Sequence, residues 1–269
     1  MNLVDSHTHI QSLVDGDKLD HTANLWSKLG LTADEVVDRA NNAQVNKFIC
    51  VGCDLNDSAL AVDFVQQRSG CFASVGIHPH EAEVFLSVDP SKEQLSSLIR
   101  QPKVVAIGEC GIDYFYQHSQ PSDQKRVLRM QLELAVLYDK PVIFHVREAF
   151  KDFWPIFDSY LGIRGVVHSF TDNSEELERA LNRGLFIGVN GIATFTKKAD
   201  QLAMFKSIPN DHLLLETDSP YLTPTPYRGN INEPKHIATI LEFLAELKGM
   251  ASDELAKLTT TNASSLFVI

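Results

Sequence analysis

The chain reads as an α/β protein: a single (β/α)8 TIM barrel, one domain spanning residues 1–269. Three observations predict this. Short apolar runs alternate with amphipathic stretches eight times along the sequence, the repeat expected of such a barrel. The length of 269 residues matches the size of these barrels, typically about 250 residues. The strand-like runs also end in histidines and carboxylates, and barrel enzymes place their active sites at the C-terminal ends of strands. The rival is a doubly wound open sheet, which usually announces a nucleotide by a glycine-rich turn after its first strand. Here the first run ends in His7-Thr8-His9, and no G-x-G-x-x-G follows.

The strand-like runs begin near Leu3, Lys47, Phe72, Val104, Val142, Gly165, Leu185 and His212. Val104-Val105-Ala106-Ile107 and Leu213-Leu214-Leu215 are continuous apolar runs, as parallel strands show when both faces are covered. Between the strands, Thr32-Ala33-Asp34-Glu35 is a capping box that opens the first helix. Asp57 is expected to cap a helix reaching about Arg68. Ser91 is expected to cap the next, with Leu95, Leu98 and Ile99 on one stripe. Pro121 suits the first turn of a long helix bearing Val127, Leu128, Met130, Leu134 and Leu137. Further helices are expected from about Glu148, Ser174, Lys197 and Pro234, with a last one over about 252–265. Two connections are long, residues 10–31 with Trp26 and residues 220–233, and loops of that length are often lids or binding loops. Asp15-Gly16-Asp17 lacks the remaining ligand spacing of a calcium loop and reads as a solvated turn.

Hydrophobic residues make up 44% of the chain and charged ones 22%, ordinary values for a globular protein. No apolar run approaches the roughly 20 residues that cross a bilayer. The N-terminus has neither a basic segment nor an apolar stretch, so no export signal and a cytoplasmic location are expected. The four cysteines are Cys50, Cys53, Cys71 and Cys110. Cys50 and Cys53 form a C-x-x-C, a spacing used by zinc and redox sites. On a strand, however, i and i+3 face opposite sides, which favours structural thiols. Acidic residues outnumber basic ones 35 to 24, for a net charge of −11 at pH 7. That balance argues against broad adhesion to nucleic acid through a basic face, but leaves open a local site where bound cations reverse the sign.

The strand ends carry the chemistry. His7 and His9, at i and i+2 on a strand, point the same way and can chelate a divalent cation. Later strands end in Gly76-Ile77-His78-Pro79-His80, Gly108-Glu109, His145-Val146-Arg147-Glu148, His168-Ser169 and Glu216-Thr217-Asp218-Ser219. Four histidines and two carboxylates at one rim would be costly to bury unpaired, and a dinuclear metal site removes that cost. The strand order lets His7, His9 and Asp218 share one ion and His145 and His168 hold a second, with Glu109 as the bridge. Two such ions about 3.5–4 Å apart can clamp both oxygens of a phosphoryl displacement and make hydroxide available near neutrality. Asp218 can ligate and also receive the water's proton, so Asp218 and Glu109 are the expected catalytic carboxylates. The nitrogen-rich set fits two divalent ions, zinc or manganese better than magnesium. His78, Arg147, Tyr221 and Arg228 are the substrate-side candidates: His78 as phosphate contact or proton donor, the arginines as bidentate phosphate ligands, Tyr221 (with Trp26) as a base-stacking ring. Packing, carboxylate pairing or a supporting role is the alternative for each. His80 and Asp113 are expected to cap or support.

These motifs resemble the TatD family of metal-dependent deoxyribonucleases, in the amidohydrolase superfamily. The matching stretches are Asp5-Ser6-His7-Thr8-His9, Gly76-Ile77-His78-Pro79-His80, Gly108-Glu109-Cys110-Gly111-Ile112-Asp113-Tyr114, the run from Pro141 to Ala149 around His145, and Glu216-Thr217-Asp218-Ser219-Pro220-Tyr221-Leu222. The resemblance implies a metal-dependent barrel hydrolase that cleaves DNA phosphodiesters, often from the 3′ end. It implies the metal-ligand role for His7, His9, Glu109, His145, His168 and Asp218. The chain departs from the family in His168-Ser169-Phe170-Thr171-Asp172, where H-C-F-S-G is common, and in Arg228-Gly229-Asn230-Ile231-Asn232-Glu233-Pro234, which lacks two basic residues of R-G-K-R-N-E-P. Its loop after His9 is also longer than usual. The expected partner is therefore DNA, as ends or single strands, with no membrane, and the chain a monomer or weak oligomer. The alternatives are a related hydrolase of a small phosphoester, ester, cyclic amide or aminoacyl-tRNA ester, and a non-catalytic binding module, which predicts missing ligands.

Overall fold

The structure is a computed structural model that describes residues 2–14, 21–88, 91–116 and 118–269. Eight strands follow one another in chain order in one eight-stranded sheet: β1 (Leu3–Thr8), β2 (Val45–Val51), β3 (Cys71–Val75), β4 (Val104–Asp113), β5 (Val142–Arg147), β6 (Gly165–Val167), β7 (Phe186–Val189) and β8 (Leu213–Leu215). The described pairings are parallel. Interleaved helices complete the (β/α)8 fold: α1 (His21–Ser27), α2 (Ala33–Asn42), α3 (Leu55–Gln66), α4 (Ala82–Ser87), α5 (Ser91–Ile99), α6 (Pro121–Tyr138), α7 (Phe150–Phe157), α8 (Ser174–Leu181), α9 (Ile192–Phe195), α10 (Ala199–Ser207), α11 (Ile237–Lys248) and α12 (Ser252–Phe267). Every strand starts within two residues of its expected position. Among the described residues no helix is long and apolar enough to cross a membrane.

The chain divides into two compact units. One comprises residues 1–50 and 169–269. In it β1 pairs with β2, Leu3 opposite Val45 and Thr8 opposite Cys50, and Thr8 also bridges to Ser219 just beyond β8. Helix α2 opens with the expected capping box: the Thr32 hydroxyl accepts from the Glu35 amide, and the Glu35 carboxylate accepts from the Thr32 amide. Ile237, Ile240, Leu241 and Leu244 of α11 are buried at helical spacing. The connection after β1 is not a plain loop, since it contains a 3-10 turn (Ile10–Val14) and α1. The turn read at Asp15-Gly16-Asp17 lies outside the described residues. The second long connection, 220–233, is irregular and is pinned by Asn232, which donates to the Thr217 and Tyr221 carbonyls.

The other unit comprises residues 51–168. Its cap on α3 is Asp54 rather than Asp57: the Asp54 carboxylate accepts from the Asp57 amide, while the Asp57 carboxylate accepts from the Cys53 amide. Helix α5 begins at Ser91 as expected; the Ser91 side chain, and with it the expected cap, lies outside what is described. Pro121 does occupy the first turn of α6. Leu137, however, is exposed, and Gln124 and Gln131 are buried on that helix instead. Apolar periodicity does not reveal them, because they are buried to satisfy backbone groups at the strand ends. Gln131 accepts from the Ile77 amide and donates to the Ile77 carbonyl, and Gln124 does the same for Asp113. Helix α7 begins at Phe150, two residues later than expected, and α10 at Ala199 after the short α9.

Candidate metal centre

In the first unit, β1 brings His7 and His9 together. Their Nε2 atoms stand 3.3 Å apart, and Asp218 Oδ1 lies 3.7 Å from the first and 3.3 Å from the second. The strand end is held by Asp5, fully buried, whose carboxylate accepts from the Thr217 amide and hydroxyl and from the His7 amide. Burial pushes the Asp5 carboxyl up to about 8, against the bonds from Thr217. Asp218 has a left-handed backbone (φ 57°), a conformation Asp tolerates better than most residues, and its amide donates to the His7 carbonyl. Clamp and turn thus aim Asp218 back at the two imidazoles. Beside them, Glu216 is buried and accepts from the Ser169 amide at 2.6 Å. Gly188 leaves room for it, since a Cβ there would run into the Glu216 carboxylate.

In the second unit, β4 supplies Glu109 and Asp113, and β5 supplies His145. Glu109 Oε1 lies 2.7 Å from His145 Nδ1, 3.6 Å from His168 Nε2 and 3.8 Å from His78 Nε2. The far nitrogen of His145, Nε2, is 3.0 Å from Asp113 Oδ2, and the same oxygen meets His80 Nε2 at 3.0 Å. Gly111 lets β4 and β5 close up here, because a Cβ would strike the His145 carbonyl oxygen. Burial works against charge on His145, but the hydrogen bonds to Asp113 and Glu109 outweigh it and push the imidazole up to about 9. Burial opposes ionisation of Asp113 too, yet bonds from His145 and His80 hold it well below the usual carboxylate range. His78 is held well below its ordinary value, first by burial and then by the charge on His145.

Each set fits a divalent cation on its donor chemistry. In tetrahedral zinc sites, with bonds of about 2.0 Å, donor atoms stand about 3.3 Å apart, close to the 3.3, 3.3 and 3.7 Å that separate His7, His9 and Asp218. His7, His9 and Asp218 form one converging group, and His78, Glu109 and His145 another. His168 reaches the same Glu109 oxygen. His78, expected on the substrate side, stands among the Glu109 partners. Asp113 takes the supporting place expected of it, with Oδ2 3.0 Å from the outer nitrogen of His145.

The remaining candidates fall into place less uniformly. Trp26 is fully buried and donates its indole N–H to the His9 carbonyl at 3.0 Å, so it is not open to a base. Tyr221 is half-buried; its hydroxyl shares a hydrogen bond with Thr22, and its ring lies 6.2 Å from that of His21 at 18°. Arg228 is exposed, lies over Phe195 and donates to the Thr223 carbonyl. Arg147 lies 4.0 Å over the Phe115 ring and, among the described residues, pairs with no carboxylate. Cys50, Cys71 and Cys110 are buried and Cys53 is partly so.

The chain is similar to known proteins along nearly its whole length. A family model for TatD-related DNases matches residues 4–268. An uncharacterized metal-dependent hydrolase of Bacillus subtilis, YabD, is 36% identical over 241 residues, covering 88% of this chain and 92% of its own. The 3′-5′ ssDNA/RNA exonuclease TatD of Escherichia coli K12 is 34% identical over 250 residues, covering 90% and 95%. The crystal structure of a TatD homologue from Escherichia coli K12, YjjV, superposes with a TM-score of 0.86 at 29% identity, covering 99% of this chain and 98% of that one. Motifs, fold and relatives agree, and the chain belongs to the TatD-related DNase family of metal-dependent hydrolases.

Proposed function

We propose that the protein hydrolyses phosphodiester bonds at the 3′ ends of single-stranded DNA, using two divalent ions, zinc, manganese or magnesium. His7, His9 and Asp218 would hold one ion, and Glu109, His145 and His168 the other. The observation that carries this reading is the presence of two separate converging donor sets, one in each unit. The relatives named as 3′-5′ ssDNA/RNA exonucleases support the choice of substrate. Bound ions of this kind supply Lewis-acid activation of water and of the phosphoryl oxygens. Asp218 accepts the proton of the attacking water, and the Asp5–Thr217 clamp keeps its carboxylate aimed at the site. Glu109, with its Oε1 2.7 Å from His145 Nδ1 and 3.6 Å from His168 Nε2, would hold that ion together with the two imidazoles. Arg147 and Arg228 face solvent and attract the phosphate backbone, since a net charge of −11 argues against attraction through a broad basic face. Affinity is then modest and falls steeply with salt. A cytoplasmic location is part of this reading, since cysteines that are buried or half-buried suit a reducing compartment.

The test is cleavage of 3′- and 5′-labelled single- and double-stranded oligonucleotides with Mg²⁺, Mn²⁺ or Zn²⁺, with and without EDTA. The expected result is stepwise shortening from the 3′ end of the single strand, abolished by EDTA and by His145→Ala. Degradation indifferent to EDTA overturns the mechanism. Turnover of a small phosphoester or ester far above that of DNA overturns the substrate.

A further inference from the structure

Just beyond β4 the chain exposes two adjacent aromatic rings, Phe115 at 49% and Tyr116 at 44%. They meet edge to face, with centroids 4.7 Å apart at 82°. The Arg147 guanidinium spans both, 4.0 Å from the Phe115 centroid and 5.1 Å from that of Tyr116. Large aromatic surfaces are normally spent on burial. Two neighbouring rings left half in solvent beside a cation that, among the described residues, pairs with no carboxylate have the composition of a single-strand stacking platform.

The platform is tied to the metal-binding histidine through one carboxylate. Asp113 Oδ1 accepts from the backbone amides of Phe115 and Tyr116 at 2.9 and 3.0 Å, while Asp113 Oδ2 meets His145 Nε2 at 3.0 Å. Asp113 and Arg147 are also opposite one another in the β4–β5 register, and Arg147 follows His145 by two residues on its strand. The Tyr116 ring lies 5.6 Å from that of His80, which shares the Asp113 oxygen with His145. Any change that moves the rings therefore moves relative to a fixed point shared with His145.

We propose that Phe115 and Tyr116, backed by Arg147, form the subsite that stacks the nucleobase adjoining the scissile bond of a single-stranded nucleic acid. The proposal rests on the nuclease reading above. The rings bind the π-face that every base offers, so the subsite tolerates sequence, and Arg147 adds attraction to the neighbouring phosphate. Both side chains are half-exposed, so replacing them leaves the core intact.

The test uses the full chain and single-stranded oligonucleotides carrying one abasic residue at each of the last three 3′ positions in turn. For the unmodified chain, one abasic position should lower kcat/KM by roughly 5- to 150-fold, the fold-change that matches loss of one base–aromatic stack. Phe115→Ala or Tyr116→Ala should lower kcat/KM on the intact oligonucleotide by a similar factor and no longer distinguish it from that abasic one. Phe115→Trp should restore the distinction. Metal content of each variant, measured by mass spectrometry, should equal that of the unmodified chain. Alanine variants that cleave and discriminate like the unmodified chain overturn the platform and leave the nuclease reading standing. Variants that lose metal, or lose activity equally on intact and abasic strands, assign the rings a structural role and overturn it as well. An unmodified chain that cleaves no oligonucleotide, and does not alter the fluorescence of a 3′-terminal 2-aminopurine strand, overturns both readings together.

Discussion

Asp113 and His145 share a hydrogen bond of 3.0 Å that turns the other ring nitrogen of His145 toward Glu109, 2.7 Å away. An imidazole that donates from Nε2 keeps its lone pair on Nδ1, the tautomer a cation at Glu109 requires. Asp113 is thus a positioning residue. Asp113→Asn should weaken metal binding about 10- to 100-fold, measured by competition with a chromophoric chelator. The binding change should exceed any change in unfolding midpoint, which separates orientation from general damage.

Metal uptake should also release protons. Without an ion, His145 is pushed up to about 9, so at pH 7 the ring carries a proton that a cation must displace. Affinity at the Glu109 set should fall about tenfold for each unit the pH drops below about 9. Calorimetric titrations in buffers of different ionisation enthalpy should give close to one proton released per ion at this set. An uptake independent of buffer counts against a protonated His145.

Trp26 stabilises the other set from behind. Its indole N–H and the Ser12 amide both donate to the His9 carbonyl. Trp26→Phe removes one of these bonds and leaves part of the indole volume empty, at a cost of about 1–3 kcal/mol. Urea unfolding should show the loss as a lower midpoint at unchanged slope.

His236 makes the fold acid-sensitive. Its ring is buried, with Nδ1 bonded to Asn232 Oδ1 at 2.8 Å, and burial, then the charges of Lys235 and Arg39, lower it to about 4. Above pH 6.5 folded and unfolded states are both neutral at this residue and the stability is full. Between about 6.5 and 4 the unfolded chain takes up a proton that the folded one refuses, so stability falls as pH falls, by up to about 1.4 kcal/mol per unit. His236→Gln should flatten this dependence in urea unfolding measured at pH 7 and pH 5.

The sequence by itself determined the fold class and the strand starts, because apolar runs and their spacing are local signals. It also determined which histidines and carboxylates end the strands, since the i, i+2 rule and the barrel's strand-end logic need no coordinates. His7, His9 and Asp218 were legible in this way, and the structure brings their donor atoms within 3.3–3.7 Å. Only the tertiary structure decided what surrounds those groups. Gln124 and Gln131 read as breaks in an apolar stripe, yet they are buried against backbone 11 and 54 positions away. Trp26 could stack a base or fill the core, and only packing chose the core. Asp113 is legible as a capping or supporting group, but that its carboxylate joins His80 and His145, 33 and 32 positions away, is set by the tertiary structure. Periodicity reports which way a residue faces. It does not report what waits there, and hydrogen-bond partners 30 or more positions away are set by the fold alone.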